Sequence, residues 1–385
     1  MPISKDKKAA LASLMKGINK KFGDETVNFV SDMKDKLAIN FLKSPSHEFN
    51  MMLYGGLGIG KIIEFFGPES SGKTTMAIEI IKKQQEENKE FIAGWFETEG
   101  SMSKDQLESF GIDMDRLIYW DQKELSAEKG LDVLRSIVES DMVDMIVVNS
   151  VAGLVPETEV ENDLTHQNIG VIAKIMSKLF RVITGIADKT KTTLLFINQI
   201  REKVGVMFGN PETTTGGRAL QFYASQRIRF SRVKLQSGDG IKDEEGLKIH
   251  CKVYKNRFAL GNPYKLCDYI AEYGKGINNI MEIPTILERE NLIVKSGAWY
   301  YYPSKTNIKT IDNIPCKFNG KASLIKALTE SDELRKFFEE LISEEYSNSK
   351  AGEHLDANEI KKIKDEEQDL EKAFENNDED NEAIN

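Results

Sequence analysis

Short, mainly apolar runs recur along the first half of the chain, at 62–66, 91–96, 145–148 and 192–197. Stretches of helical length separate them, at 74–88, 127–139 and 168–189. Continuous apolar strands alternating with helices predict an α/β fold with a mostly parallel central sheet flanked by helices. Ahead of the first run, Leu11, Leu14, Met15, Ile18 and Phe22 recur at helical spacing behind Ser4, which can cap the helix, and Gly23 can end it. The alternation fades near Gly276. Beyond it, 322–328 and 333–345 read as helices of a smaller α+β C-terminal domain. The remainder is polar, rich in Asn, Glu and Asp and poor in aromatics, which predicts a disordered acidic tail with a transient helix around 360–374. The expected divisions are therefore 1–35 (helix and linker), 36–276 (core), 277–346 (C-terminal domain) and 347–385 (tail). No internal repeat is evident.

At 385 residues, 40% hydrophobic and 30% charged, the chain has the composition of an ordinary globular protein. No apolar run approaches the ~20 residues that span a bilayer, and the N-terminus lacks the apolar stretch of a secretory signal. Cys251, Cys267 and Cys316 are spaced for neither a disulfide framework nor a zinc site. That cysteine usage makes a reducing cytoplasm the expected address, and the scatter of His47, His166, His250 and His354 argues against an imidazole metal centre. The net charge of −10 would argue against a nucleic-acid partner if it were spread evenly. It is not: residues 351–385 hold 13 acids and 4 lysines, leaving 49 acids and 48 bases of the chain's 62 and 52 for residues 1–350. The body is balanced and can carry basic surfaces.

The sharpest chemistry is GPESSGKTT at 67–75: Gly67, Pro68, Glu69, Ser70, Ser71, Gly72, Lys73, Thr74 and Thr75. It fits G-x-x-x-x-G-K-[ST] directly after a strand run and opening a helix. The glycines let backbone N–H groups and the helix N-terminus face a β-phosphate, Lys73 neutralises the β and γ oxygens, and the Thr74 hydroxyl ligates Mg²⁺. ATP and Mg²⁺ are the expected ligands. Motors, kinases, GTPases and recombinases all share this motif. The second run ends in WFETE, where Glu99 can polarise the attacking water; the alternative is a solvated acid at a strand end. The third ends at Asn149, where many such ATPases hold Mg²⁺ through an Asp and water. The fourth ends in Asn198 and Gln199, and an amide there can contact the γ-phosphate and shift on hydrolysis. All these strand ends converge on one sheet edge, where ligands of open α/β sheets sit.

The stretches GPESSGKTT (67–75), FINQIREKVGVMFGNPETTTGG (196–217) and KVYKNR (252–257) closely resemble the bacterial RecA recombinase family, and MIVVNSVAGLVPETEVE (145–161) and SGAWY (296–300) are similar as well. The resemblance covers most of the chain in order, as a phage, plasmid or divergent bacterial version would. It implies a RecA-type P-loop ATPase core and two DNA-binding loops, at 161–169 and 200–214. Lys174, Arg181, Arg201, Lys203 and Arg218 would contact phosphates, while Thr215, Gly216 and Gly217 would lend backbone N–H donors without base selectivity. Ile169 and Val204 match positions where the family wedges an apolar side chain between base triplets. Met207 and Phe208 would be covered by DNA or a neighbour; Phe208 can also be read as a core aromatic or a subunit contact. Lys255 and Arg257 resemble the cations presented to ATP on the adjacent subunit, and can equally be read as a basic strand edge. The N-terminal helix would dock on the next subunit, giving a head-to-tail helical filament, or cover its own core.

The resemblance thus implies DNA-stimulated ATP hydrolysis, filaments on single-stranded DNA, and pairing with homologous duplex in recombination, repair and the SOS response to DNA damage. Two rivals remain open from the residues alone: a filament-forming single-strand binder that uses ATP as a switch, and a translocase or helicase of the same fold. Lys295, Lys305, Lys309, Lys317 and Lys321 would engage incoming duplex, and the acidic tail would compete with it. Three departures stand out. Asn149 replaces the usual acid, Gln106 falls where the family stacks a tyrosine on adenine, and Arg257 replaces a lysine.

Overall fold

Ser4 caps the first helix, its hydroxyl accepting from Lys7 N at 3.4 Å; α1 runs Lys5–Phe22, and Gly23 N–H closes it on Asn19 O at 3.0 Å. The Asn19 side chain then pairs with both backbone groups of Val27, at 2.9 and 3.1 Å. These residues belong to one unit, Met1–Asn40, and the rest of the chain, Phe41–Asn385, forms a second. The computed structural model describes residues 4–23, 26–33, 39–100, 102–123, 125–161, 170–202, 212–235, 241–258 and 265–350. Ile169, Lys203, Val204, Met207, Phe208 and the acidic tail from 351 onward lie outside the described residues.

In the second unit a short ribbon, β1 (Phe41–Leu42) with β2 (Leu57–Gly58), brackets α2 (His47–Met52) and leads into the main sheet. The apolar runs are its central strands: β3 (Ile62–Gly67), β4 (Ala93–Glu97) and β6 (Met145–Asn149) are buried at every position. Burial on both faces is what an unbroken apolar run requires. With β5 (Leu117–Asp121), β7 (Thr193–Glu202) and β9 (Gln226–Val233) they form a six-stranded parallel block in the order β9-β3-β7-β6-β4-β5. Next to β9 the sheet turns antiparallel through β10 (Gly246–Asn256), β11 (Leu266–Glu272) and β12 (Gly276–Ile277), and β8 (Glu212–Thr214) folds back on the end of β7. These strands pair antiparallel with their neighbours in sequence, with no helix between them among the described residues, so the α/β alternation fades.

Helices cover both faces. On one side α3 (Lys73–Glu87) and α4 (Lys104–Phe110) pack Met76, Ile80 and Leu107 against Phe65 and Trp95. On the other, α5 (Ala127–Glu139) and α7 (Val171–Thr190) present Leu131, Leu134 and Val138, and Met176, Phe180 and Ile183, to Phe96 and Phe196. Each such side chain contributes about 1.5–3 kcal/mol on burial. The short helix α6 (Glu157–Glu161) follows β6, and α8 (Arg218–Tyr223) leads into the start of β9.

A third apolar cluster belongs to the C-terminal part. There α9 (Ile283–Arg289), the sheet β13-β14-β17 (Val294–Ser296, Trp299–Tyr301, Lys317–Asn319), the ribbon β15-β16 (Thr310–Ile311, Ile314–Pro315), α10 (Gly320–Glu330) and α11 (Asp332–Lys350) enclose Leu287, Tyr300, Phe318 and Phe338. Met51 of α2 joins this cluster, and Arg289 makes a two-pronged bond to Glu48 at 2.9 and 2.8 Å, fastening it to the core. No helix among the described residues is long and apolar enough to cross a membrane.

Candidate nucleotide and DNA site

The carboxyl ends of four parallel strands meet at one edge, in a register that sets Gly67 beside Gln199 and Glu97 beside Asn149. Between Gly67 and α3 the chain makes the phosphate loop. Gly72 caps α3 at φ 86°, a left-handed conformation that glycine adopts without strain, and a Cβ there would press on Ile249 at 3.1 Å. Pro68, Glu69 and Ser70 are exposed, while Ser71 turns inward and donates to Pro68 O at 2.8 Å. Lys73 is buried, its ammonium donating to Gly67 O at 3.1 Å, Pro68 O at 2.5 Å and Ser71 Oγ at 3.2 Å. Burial pulls its pKa down to about 8, against the opposing pull of Glu99 and Glu69. A cation that burial has made costly, set in a loop of backbone donors at a helix N-terminus, is suited to an incoming polyphosphate. Thr74 Oγ1 points to Asn149 Oδ1 at 3.5 Å, so two oxygen ligands suited to Mg²⁺ or its waters lie together, with Thr75 one residue further into the helix.

Glu99 stands just past β4, hydrogen-bonded to Ser150 Oγ, and its Oε1 also accepts from Gln199 Nε2 at 3.0 Å. The structure thus brings together the residues singled out at the strand ends. It also shows two acids that sequence inspection passed over. Glu97, wholly buried, accepts from Trp95 Nε1 (2.9 Å), Asn149 Nδ2 (3.0 Å) and Glu99 N (3.1 Å). Glu64, equally buried in β3, accepts from Asn198 Nδ2 at 2.9 Å and Arg227 Nε at 2.5 Å. Asn198 Nδ2 also donates to Thr215 O at 3.0 Å, and its Oδ1 accepts Gln199 N–H at 2.9 Å. The available signal was an acid inside an otherwise apolar strand, which burial permits only with dedicated donors.

Gln199 lies on β7, whose far end enters 203–211, and the chain returns through β8 to Thr215, Gly216 and Gly217. A Cβ on Gly216 would meet Val151 at 2.8 Å and one on Gly217 would meet Ala173 at 2.8 Å, so this return packs against the start of α7. Arg218 and Arg181 line one open depression with exposed Phe222, and Lys174 is exposed a further two turns along α7. Arg201 is exposed at the end of β7. Lys255 donates to Gln221 O (2.9 Å) and Phe222 O (2.8 Å), and Arg257 donates to Phe222 O at 3.0 Å, so both cations hold the end of α8. Burial, then Arg257 and Arg227, bring the Lys255 pKa down to about 8. Gln106 is exposed on α4. In the C-terminal part Lys295 pairs with Glu288, Lys309 lies 4.1 Å over the Phe337 ring, Lys317 lies 4.7 Å over Trp299, and Lys321 donates to Thr285; Lys305 is exposed.

The family described as the RecA N-terminal domain matches residues 9–278. The protein RecA of Mycoplasmopsis pulmonis is 38% identical over 340 residues, covering 87% of this chain and 94% of that protein. The RecA of Mesoplasma florum is 39% identical over 297 residues, covering 77% and 86%. The RecA of Heliobacterium modesticaldum is 36% identical over 343 residues, covering 87% and 96%.

Proposed function

The chain belongs to the RecA family, and we propose that it acts as an ATP- and Mg²⁺-dependent recombinase, assembling head to tail on single-stranded DNA in the cytoplasm and exchanging strands with homologous duplex. The observation that carries this reading is the bond from Gln199 Nε2 to Glu99 Oε1 at 3.0 Å. One strand, β7, bears the residue that touches the hydrolytic carboxylate and then runs on into the DNA passage. Bound Mg²⁺-ATP supplies the phosphoryl group and its charge neutralisation. Residues 67–75 hold the phosphates, Thr74 and Asn149 offer oxygens to the metal side, and Glu99 takes the proton of the attacking water. When Gln199 turns toward phosphate it leaves Glu99 free for that water and moves the end of β7. Lys174, Arg181, Arg201 and Arg218 hold DNA phosphates, and the return through 215–217 contributes backbone donors.

Lys255 and Arg257 serve a nucleotide on the adjacent copy. To do so they leave the carbonyls of residues 221 and 222, which links α8 to the interface. The N-terminal helix provides the head-to-tail contact, and the C-terminal domain receives duplex. Three-strand exchange between circular single-stranded and homologous linear duplex DNA tests the assignment, run with ATP and with a non-hydrolysable analogue. Joint molecules should form with both and full exchange with ATP, while Glu99→Gln should pair DNA without turnover. A chain that unwinds duplex with no homologous strand present is a translocase instead. A second reading has one observation behind it: the neutral Asn149 weakens support on the metal side, so ATP serves as a switch with little hydrolysis. Turnover measured with single-stranded DNA separates the two.

A further inference from the structure

Glu97 and Asn149 face each other on adjacent parallel strands, β4 and β6, and both are buried. Glu97 is acceptor-only when ionised, whereas an amide has one donor end and one acceptor end. Asn149 therefore meets Glu97 with its Nδ2, at 3.0 Å, and must turn its Oδ1 the other way, where it lies 3.5 Å from Thr74 Oγ1. The other Glu97 oxygen accepts the main-chain N–H of Glu99 at 3.1 Å, and Trp95 Nε1 locks the carboxylate from the side at 2.9 Å. One buried group thus touches both halves of the hydrolytic edge, the metal side through Asn149 and the water side through Glu99.

We propose that Glu97 is a positioning residue for hydrolysis: it orients the Asn149 amide so that an oxygen faces Thr74, and it holds the main chain on which Glu99 stands. The proposal rests on the ATPase reading of Thr74 and Glu99. It also accounts for the neutral residue at 149. An acid there would set two carboxylates about 3 Å apart in a buried site, where both cannot stay ionised. The charge sits on 97 and the amide on 149, and the acceptor presented to Thr74 is preserved.

A double-mutant cycle tests this. Trp95 Nε1 and Asn149 Nδ2 share one Glu97 oxygen, so the cycle is run in a Trp95→Phe parent that lacks the first donor. In that background the Glu97→Gln amide keeps its oxygen on Glu99 N–H and presents its donor to Asn149, which must turn round and put Nδ2 toward Thr74. DNA-stimulated kcat should fall about tenfold or more with KM for ATP little changed, and the Mg²⁺ concentration needed for half-maximal binding of a fluorescent ATP analogue should rise several-fold. Asn149→Asp sets acid against acid and should impair both readouts and lower the unfolding midpoint. The double variant Glu97→Gln/Asn149→Asp restores donor to acceptor, with an oxygen again facing Thr74, and should recover kcat and Mg²⁺ requirement to within about threefold of the parent. Losses that multiply in the double variant overturn the proposal, as does Glu97→Gln within twofold of the parent in both readouts. Should the unsubstituted chain fail to hydrolyse ATP, the ATPase reading falls, while the Mg²⁺ titration and unfolding cycle still decide whether Glu97 orients Asn149.

Discussion

Replacing Asn198 by alanine removes three hydrogen bonds at a site with no solvent access: Nδ2 to Glu64 Oε1 at 2.9 Å, Nδ2 to Thr215 O at 3.0 Å, and Gln199 N–H to Oδ1 at 2.9 Å. The two bonds between neutral groups are each worth about 1 kcal/mol net, and the one to the carboxylate about 1.5–3 kcal/mol, because Glu64 is left buried with a donor missing. The sum is roughly 3–5 kcal/mol, a large fraction of a typical 5–15 kcal/mol stability. Urea unfolding of Asn198→Ala against the parent reads this directly. The same change frees Gln199 from the return of the DNA passage at Thr215, so ATP should no longer raise affinity for single-stranded DNA. Fluorescence anisotropy of a labelled oligonucleotide, with and without a non-hydrolysable ATP analogue, reads that coupling. A stability loss below about 0.5 kcal/mol would mean that the buried bonds are replaced at almost no cost and would refute this reasoning. Full ATP enhancement of DNA binding in a folded variant would remove Asn198 from the path between the two sites.

Lys73→Ala should weaken ATP binding by about a hundredfold or more, since it removes the ammonium that meets the phosphates; affinity within a few-fold of the parent in a fluorescent-nucleotide titration contradicts this. Because Lys73 sits at about 8 without phosphate and an anion favours its charged form, parental ATP affinity should be steady below pH 8 and fall as pH rises beyond it. A parent with no such fall, measured by the same titration, would place the proton elsewhere. Glu282 is shifted the other way: burial lifts its pKa from 4.5 to about 8, so the folded chain keeps a proton that the unfolded chain has released. Its contribution is complete below pH 4.5 and is lost as pH climbs through 8. Urea midpoints should decline from pH 5 to 8 in the parent and decline less in Glu282→Gln, with a residual slope of the same sign from Glu79, which burial lifts to about 7; parallel slopes refute the assignment.

How far the sequence discloses this site depends on how local each feature is. The phosphate loop is legible because its glycines, Lys73 and Thr74 are neighbours in sequence and the loop uses only its own backbone. The parallel block is legible because strands buried on both faces are filled mostly by apolar residues, Glu64 and the strand-end polar groups being the exceptions. Helix ends are less so: the stretch at 168–189 becomes Val171–Thr190, because Gly170 supplies the left-handed cap. What the sequence conceals is the order β9-β3-β7, which places Arg227, Glu64 and Asn198 side by side although they lie far apart along the chain. Glu64 inside IIEFF announces a buried acid without announcing its donors. Lys255 and Arg257 illustrate a further limit, since their basic character is plain but their hold on the carbonyls at the end of α8 follows only from tertiary structure.

That hold bears on how the sites communicate. Glu64 is buried among Asn198 and Arg227, and its charge also acts to raise the pKa of Lys255. A buried carboxylate that loses one donor without replacement costs several kcal/mol, so its partners are not free to move singly. Asn198 is bonded to Gln199 and Thr215, Arg227 is stacked 4.7 Å over Phe66 at the foot of the phosphate loop, and Lys255 holds the end of α8. A shift of Gln199 would therefore pull on the Asn198 bond to Glu64. Arg227 already holds the other Glu64 oxygen at 2.5 Å, so Lys255 is the nearby cation that would have to move in to replace a lost Asn198 bond. Coupling of this kind needs no long chain of contacts, only one charge that must stay satisfied while three strands exchange the donors that satisfy it.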